Sequence, residues 1–373
     1  MVARFTAVPK VDEVILHPLE IPLAHPFSTS QATQQTGRFI LVEVRAEGLV
    51  GFGEADPRPH ITGETVASAM AVLEREFIPA ARSRSVADLV GLHASMAPVK
   101  LNFCAKAALD IAFHDLLGQA LGLPVRDLLG GSARERVVLN AWSGLSQDPE
   151  ATAEELLSKV AAGYDRAVKV KVGNNQTAET QLLERLVSRL PPSVALIVDA
   201  NQAWSYPEAR QRLSRLAELG VTIAEQPVGW RDVAGLRRLN QCLPLAVMAD
   251  ESAWTAADAF RLLADEAAGM LNLKLLKCGG LQPAREFLSV AQAAGAPCMV
   301  GSTVQTAVSA AAQAHLAAAS PIVTLADIVT PSDFLVEDVA SGFEVRAGAA
   351  VIGDKPGLGI EIDRRLLEKY RLE

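Results

Sequence analysis

Cysteine is scarce in this chain, and the four present are scattered. Cys104, Cys242, Cys278 and Cys298 form no CxxC pair, which argues against a zinc knuckle or a thioredoxin-type motif. They read as reduced, mostly buried small side chains of a cytoplasmic protein. Aromatic residues make up only 5% of the chain, so Ala, Val and Leu must line the core and any pocket. No apolar run approaches the roughly 20 residues of a membrane helix. Met1 to Lys10 lacks the apolar core of a signal peptide. The Ala-rich stretch from Ala307 to Ala319 is broken by Gln313 and His315, and predicts a packed helix. No Lys/Arg-dense run occurs, and a net charge of −8 would repel a phosphate backbone, so nucleic acid is not an expected partner. Neither GxGxxG nor GxxxxGK[ST] is present, which removes the usual phosphate-binding turns of an open doubly wound sheet.

What is present is a large apolar fraction, 50% of 373 residues, enough to bury a barrel-sized core. The first 131 residues run strands first and helices after. Val14 to Leu23, Phe39 to Arg45 and Leu49 to Ala55 read as strands, with a turn at Ala46-Glu47-Gly48. Helices are expected over Thr65 to Ala80, Val86 to Met96 and Lys100 to Leu121. This order predicts an α+β unit. The polar segment Ser28 to Gly37 reads as a loop or a mobile flap.

From 132 to 336 the rhythm is regular. Short apolar runs recur at Val137–Trp142, Ala167–Val172, Ala195–Val198, Thr222–Ala224, Leu245–Ala249, Met270–Leu273, Pro297–Val300 and Val323–Ala326, with helical stretches between them. Eight alternations of strand and helix predict parallel strands closing into an α/β fold, a (β/α) barrel. The remaining piece, 337–373, is loop-rich and is expected to pack back on the N-terminal unit.

In such a barrel, function gathers at the C-terminal ends of the strands. Three successive predicted strands end in Asp199, Glu225 and Asp250, flanked by strands carrying Lys169, Lys171 and Lys274. Side chains alternate with period two, so Lys169 and Lys171 share one face while Val168, Val170 and Val172 share the other. Three carboxylates at one mouth repel one another unless a hard divalent cation, Mg²⁺ or Mn²⁺, lies among them. An ordinary lysine is protonated at pH 7, but burial and a neighbouring ammonium lower its pKa. Lys169 is placed to act on Lys171 in this way, and Lys274 approaches from across the barrel. The pattern suits removal of a proton next to a carboxylate.

The segments KVKVG, VDANQAW, AEQP, ADES and NLKLLKCGG, with KAALDIAFHDLLGQALGLPVRDLLGG (106–131) and PGLG, resemble the enolase superfamily and its muconate-lactonizing subgroup over essentially the whole chain. The resemblance implies an N-terminal capping domain on the barrel. It implies Asp199, Glu225 and Asp250 as Mg²⁺ ligands, Lys171 as the main acid/base, Lys274 as its opposite-face partner and Lys169 as its tuner. Cap segments from His25 to Gln35 and from Arg58 to Gly63, including His60, would select a small carboxylate substrate, and a homo-oligomer is implied. Members of the subgroup include cycloisomerases, epimerases and racemases. Dipeptide epimerases carry a DxD on the eighth strand, where this chain has Asp327 and Val329, which favours a muconate-type cycloisomerase. The ITGET segment (61–65) instead resembles epimerases of dipeptides or N-acyl amino acids. Gln305 stands where the family often has Glu, and Ser143 ends the first barrel strand. A non-catalytic binding barrel is the competing class of reading, against which the complete lysine and carboxylate set argues. His114 reads as a satisfied packing residue.

Overall fold

The computed structural model describes residues 8–28 and 33–372. Three antiparallel strands, Glu13–Ser28, Thr33–Ala46 and Leu49–Ala55, open the chain, joined at the second turn by Glu47 and Gly48, both at positive φ. The polar segment expected as a loop is largely strand: its two arms pair up to Phe27 with Gln34 and Ser28 with Thr33. Positions 29–32 lie outside the described residues. Threonine and glutamine tolerate an extended backbone, and the register set by the apolar pairs further down carries the ladder outward.

Both faces of this sheet are buried, so its strands do not alternate with water. Leu19, Ile21, Phe39 and Leu41 join the main core against the barrel, whereas Val14, Ile40, Val42 and Val44 pack on the sheet's own helices. The helix Phe103–Leu121 lies so close to the third strand that a Cβ on Gly53 would fall 1.9 Å from the Ala108 carbonyl oxygen. Only glycine fits there. The expected helix over 65–80 is interrupted by a π-helical turn at Leu73–Phe77.

Eight parallel strands follow in sequential order: Ala141–Ser143, Ala167–Lys171, Ala195–Asp199, Ile223–Glu225, Ala246–Ala249, Met270–Leu273, Cys298–Gly301 and Val323–Asp327. The sheet curls until the Asn140 N–H donates to the Ala326 carbonyl at 2.8 Å, joining the first strand to the eighth. The expected first strand is divided in two. Arg136–Val138 pairs antiparallel with Ala349–Val351 outside the barrel, and only Ala141–Ser143 enters it. Val168, Val170 and Val172 pack outward in the helix-lined core. Inward, Ala167, Ile197, Met248, Met270, Met299 and Leu325 form an apolar floor.

Residues beyond 335 return to the N-terminal sheet. Glu20 N–H donates to the Tyr370 carbonyl at 2.9 Å. The Arg364 guanidinium reaches the buried Glu43 carboxylate, which also accepts from His17 at 2.9 Å and Arg45 at 2.8 Å. Asp115 joins three segments through backbone donors, Phe52 on the third strand and Leu358 of the PGLG turn, each at 2.8 Å. Cys104, Cys278 and Cys298 are buried free thiols, while Cys242 is exposed. Among the described residues no helix is long and apolar enough to cross a membrane.

Candidate active site

The site follows from strand periodicity. Two residues beyond each floor residue, the inward position becomes polar: Ala167 gives way to Lys169, Ile197 to Asp199, Ile223 to Glu225, Met248 to Asp250, Met270 to Asn272 and Leu325 to Asp327. One step higher stand Lys171, Asn201, Lys274 and Val329. The parallel register sets Lys171 beside Asp199 and Asp199 beside Glu225. The seventh strand contributes Gly301, whose missing side chain leaves room for Asn272: a Cβ there would fall 2.3 Å from the Asn272 amide oxygen. Asn272 in turn donates to Glu225 at 2.6 Å.

Above this layer a pocket of about 830 Å³, its open mouth included, is bounded by barrel and cap together. Lys171 donates to Asp199 at 3.0 Å and to Asn201 at 2.5 Å. Lys274 donates to Asp250 at 2.6 Å. Lys169 pairs with Asp327 and lies 3.2 Å from Glu225. Non-glycine residues at positive φ, Asn201, Gln202 and Gln226, mark the ends of the third and fourth strands. The Gln226 side chain holds that turn by accepting from Asp250 N–H at 3.0 Å and Ser252 N–H at 3.2 Å.

The charge states of Lys169 and Lys274 are set by the acids around them. Burial pulls the Lys169 pKa down, but the charges of Asp327, Glu225 and Asp199 outweigh it and leave Lys169 well above an ordinary lysine. The ammonium form of Lys169 is thus favoured by its acid neighbours, of which Asp327 comes from the far end of the barrel sequence. Lys274 behaves alike: burial lowers its pKa, and Asp250, Glu225 and Glu251 raise it further than that. The acids divide. Glu225 is pushed up to about 8 by burial and then by the charge of Asp199. Glu251 is pushed up to about 7 by burial and by Asp250 and Asp199. Asp250 is held far below the usual carboxylate range, since Lys274 and Lys277 overcome the cost of its burial.

Among the described residues no three His, Cys, Asp or Glu side chains close around one point. Asp199, Glu225 and Asp250 each lean on a lysine instead. Their chemistry nevertheless fits a hard divalent cation: the donors are all carboxylate oxygens, and burial, with neighbouring carboxylates adding to it, disfavours the charge on Glu225 and Glu251 in the absence of a cation.

Other expected residues are dispersed. Val329, Asp327 and His60 line the pocket. The His60 imidazole is lowered by desolvation and by the Arg58 guanidinium. Gln305 stands behind the wall, its amide exchanged with Gln313 at 3.0 and 2.8 Å and donated to the Val329 carbonyl at 3.3 Å. Reciprocal pairing with a second amide absorbs the polarity that a rim position would have offered to substrate. Ser143 lines an adjoining open cavity rather than this pocket, because its neighbour Trp142, stacked on Phe334 at 5.3 Å, forms the partition. His114 is buried, and its Nδ1–H donates to the Asp110 carbonyl at 2.9 Å.

Residues the sequence reading passed over matter here. Lys277, fully buried, donates to the Asp250 carbonyl at 2.5 Å and pairs with its carboxylate. Its signal was present: it lies one helical turn beyond Lys274 in NLKLLKCGG. Asn272 shares the inward face of Lys274 by period two. The contacts of Asp56 with Thr303, and of Arg58 with the Val304 carbonyl at 2.6 Å, tie cap to barrel across some 246 residues and left no local trace.

A family model for the mandelate racemase / muconate lactonizing enzyme N-terminal domain matches residues 11–130, and one for enolase C-terminal-like domains matches 151–366. The chain belongs to the enolase superfamily, in its muconate-lactonizing branch. Its relatives are isomerases. A hydrophobic dipeptide epimerase of Enterococcus faecalis is 33% identical, covering 94% of this chain and 99% of its own. Its structure with Mg and the dipeptide L-Leu-L-Tyr superposes with a TM-score of 0.88. The N-succinyl Arg/Lys racemase of Bacillus cereus superposes at 0.92 with 30% identity, covering 98% of both chains. Muconate cycloisomerase 1 of Rhodococcus opacus is 32% identical over 92% of this chain and 94% of its own. Superfamily members generally use Mg²⁺. The chain is thus an isomerase of this superfamily, built on the barrel and cap described above.

Proposed function

We propose that the protein moves a proton at the carbon next to a carboxylate, and that its substrate is an N-acylated amino acid, which it racemises or epimerises. Asp199, Glu225 and Asp250 would hold Mg²⁺, with Mn²⁺ an acceptable substitute. When bound, the cation supplies stabilisation for the negative charge that develops on a carboxylate as its α-proton leaves. Lys171 and Lys274 rise from the second and sixth of eight strands, on opposite sides of the ring. One takes the proton from one face of the α-carbon, and the other returns a proton to the opposite face, inverting the centre. Lys169 stays charged and steadies Glu225 and Asp327, and Lys277 anchors Asp250 from below.

The observation that carries the choice of substrate is Asp327. One of its oxygens is taken by Lys169; the other is buried without a partner. A buried acceptor asks for a donor. Because Lys169 already neutralises the carboxylate and Val329 adds no second acid, a neutral amide N–H answers better than an ammonium. A muconate has no such donor. The second reading, a muconate-type cycloisomerase, is favoured by Val329 itself.

Deuterium uptake from D₂O separates them. With Mg²⁺, N-acyl amino acids are expected to gain label at Cα and to racemise, EDTA is expected to stop both, and restored Mg²⁺ to return them. Label in a lactone formed from cis,cis-muconate, with none in any N-acyl amino acid, would replace this reading by the second.

A further inference from the structure

At the opposite pole of the barrel a second cleft, of about 690 Å³ with its opening, runs along the seam between the first and eighth strands. Arg134, Arg136 and Arg166 line it, and none of its lining residues is acidic. This is notable in a chain with 43 acidic and 35 basic residues. Among the described residues, none of the three arginines makes an ion pair with a carboxylate. Arg134, half-buried, spends its donors on backbone carbonyls, on Val323 at 2.6 Å and on Ser320 and Pro321 at 3.3 Å. Arg136 donates to the Arg346 carbonyl at 2.7 Å. Arg166 is exposed; its carbonyl accepts from Ala195 N–H at 3.2 Å, and its guanidinium makes no hydrogen bond among the described residues. Burial and the charge of Arg166 both lower the Arg134 pKa, which marks uncompensated positive charge.

We propose that this cleft binds a small polyvalent oxyanion of the phosphate class. Guanidinium groups offer planar pairs of N–H donors that match phosphate oxygens, and three around one cleft can neutralise a dianion together. The position gives the ion a consequence. Arg134 and Arg136 precede the first barrel strand, Arg166 precedes the second, and Arg134 also holds carbonyls leading into the eighth. An anion bridging them would reinforce the seam that the Asn140–Ala326 backbone bond and the Arg134 side chain already span. Arg166 and Lys171 stand at opposite ends of a five-residue strand, so the cleft lies roughly 15 Å from the pocket and does not depend on the reaction assigned to it.

The test is thermal unfolding of the full chain with inorganic phosphate, against potassium chloride at matched ionic strength. A ligand that binds the folded chain alone raises the midpoint, here on the order of a few degrees at saturating phosphate. The rise is expected to be lost in Arg166→Ser and in Arg136→Ser, and kept in Lys171→Ala, whose change lies in the pocket. Calorimetric titration with phosphate should follow the same pattern. No rise beyond that in chloride overturns the proposal, and so does a rise that survives both arginine substitutions. A rise lost in Lys171→Ala but kept in the arginine variants would assign the phosphate to the pocket and also overturn it.

Discussion

At the floor of the barrel the inward side chains are Ala167, Ile197, Met248, Met270, Met299 and Leu325; two residues further along the same strands they are Lys169, Asp199, Asp250, Asn272, Gly301 and Asp327. The floor is held by contact and exclusion of water, and any well-shaped apolar side chain serves it. The layer above is held by charge, and its members are specific to position: Lys169 is needed by three acids, and Asp250 by two lysines. Stability and chemistry are thus separated along about 7 Å of strand, which makes the two layers independently testable.

The largest effect is expected at the mouth. Lys171→Ala should lower α-proton exchange by about 10²–10⁴-fold, while circular dichroism reports an intact fold. Exchange at the wild-type rate would remove Lys171 from the chemistry and undo the contrast. Next comes the floor. Met299→Ala should cost about 2–5 kcal/mol of stability in denaturant unfolding, with KM little altered. A large change in KM alongside unchanged stability would mean that the floor shapes the pocket after all. The smallest effect lies outside both layers. Burial would raise the Glu43 pKa, but hydrogen bonds from His17, Arg364 and Arg45 reverse this and hold it well below its ordinary value of 4.5. A lowered carboxylate contributes stability that is present above 4.5 and is lost as pH falls below it. Wild-type stability should therefore drop on acidification through that range, and Glu43→Gln should flatten that part of the curve. An unchanged slope in the variant would assign acid unfolding to other groups.

The barrel was legible because its signals are local. Eight apolar runs at even spacing announced the strands, and period two alone put Lys169 and Lys171 on one face with the valines on the other. The three acids stood out for the same reason, at matching positions on successive strands. What was not legible depended on distant partners. Lys169 was legible as an ammonium beside Lys171, but not its pairing with Asp327 from the other end of the barrel sequence. Gln305, standing where the family often has Glu, could face the substrate or stand behind the wall, and its reciprocal pairing with Gln313 decides for the second. The polar arms of the first hairpin resembled a loop because their composition is that of a loop, and pairing across the hairpin overrides composition. The division of the first barrel strand at Asn140 came from Ala349–Val351, some 210 residues later, which claims Arg136–Val138 for a different sheet.

The Glu43 carboxylate has a history as well as a place. It is buried, and the guanidinium of Arg364 that helps to neutralise it lies 321 residues downstream. At ribosomal rates of about 5–20 residues per second, that interval is roughly 15–65 s. For that time the nascent N-terminal sheet must keep a bare acid in water or share it with His17 and Arg45 alone. The cap is therefore synthesised before the barrel and sealed after it. Synthesis halted before residue 364 should leave this sheet open to proteases even where the barrel has formed.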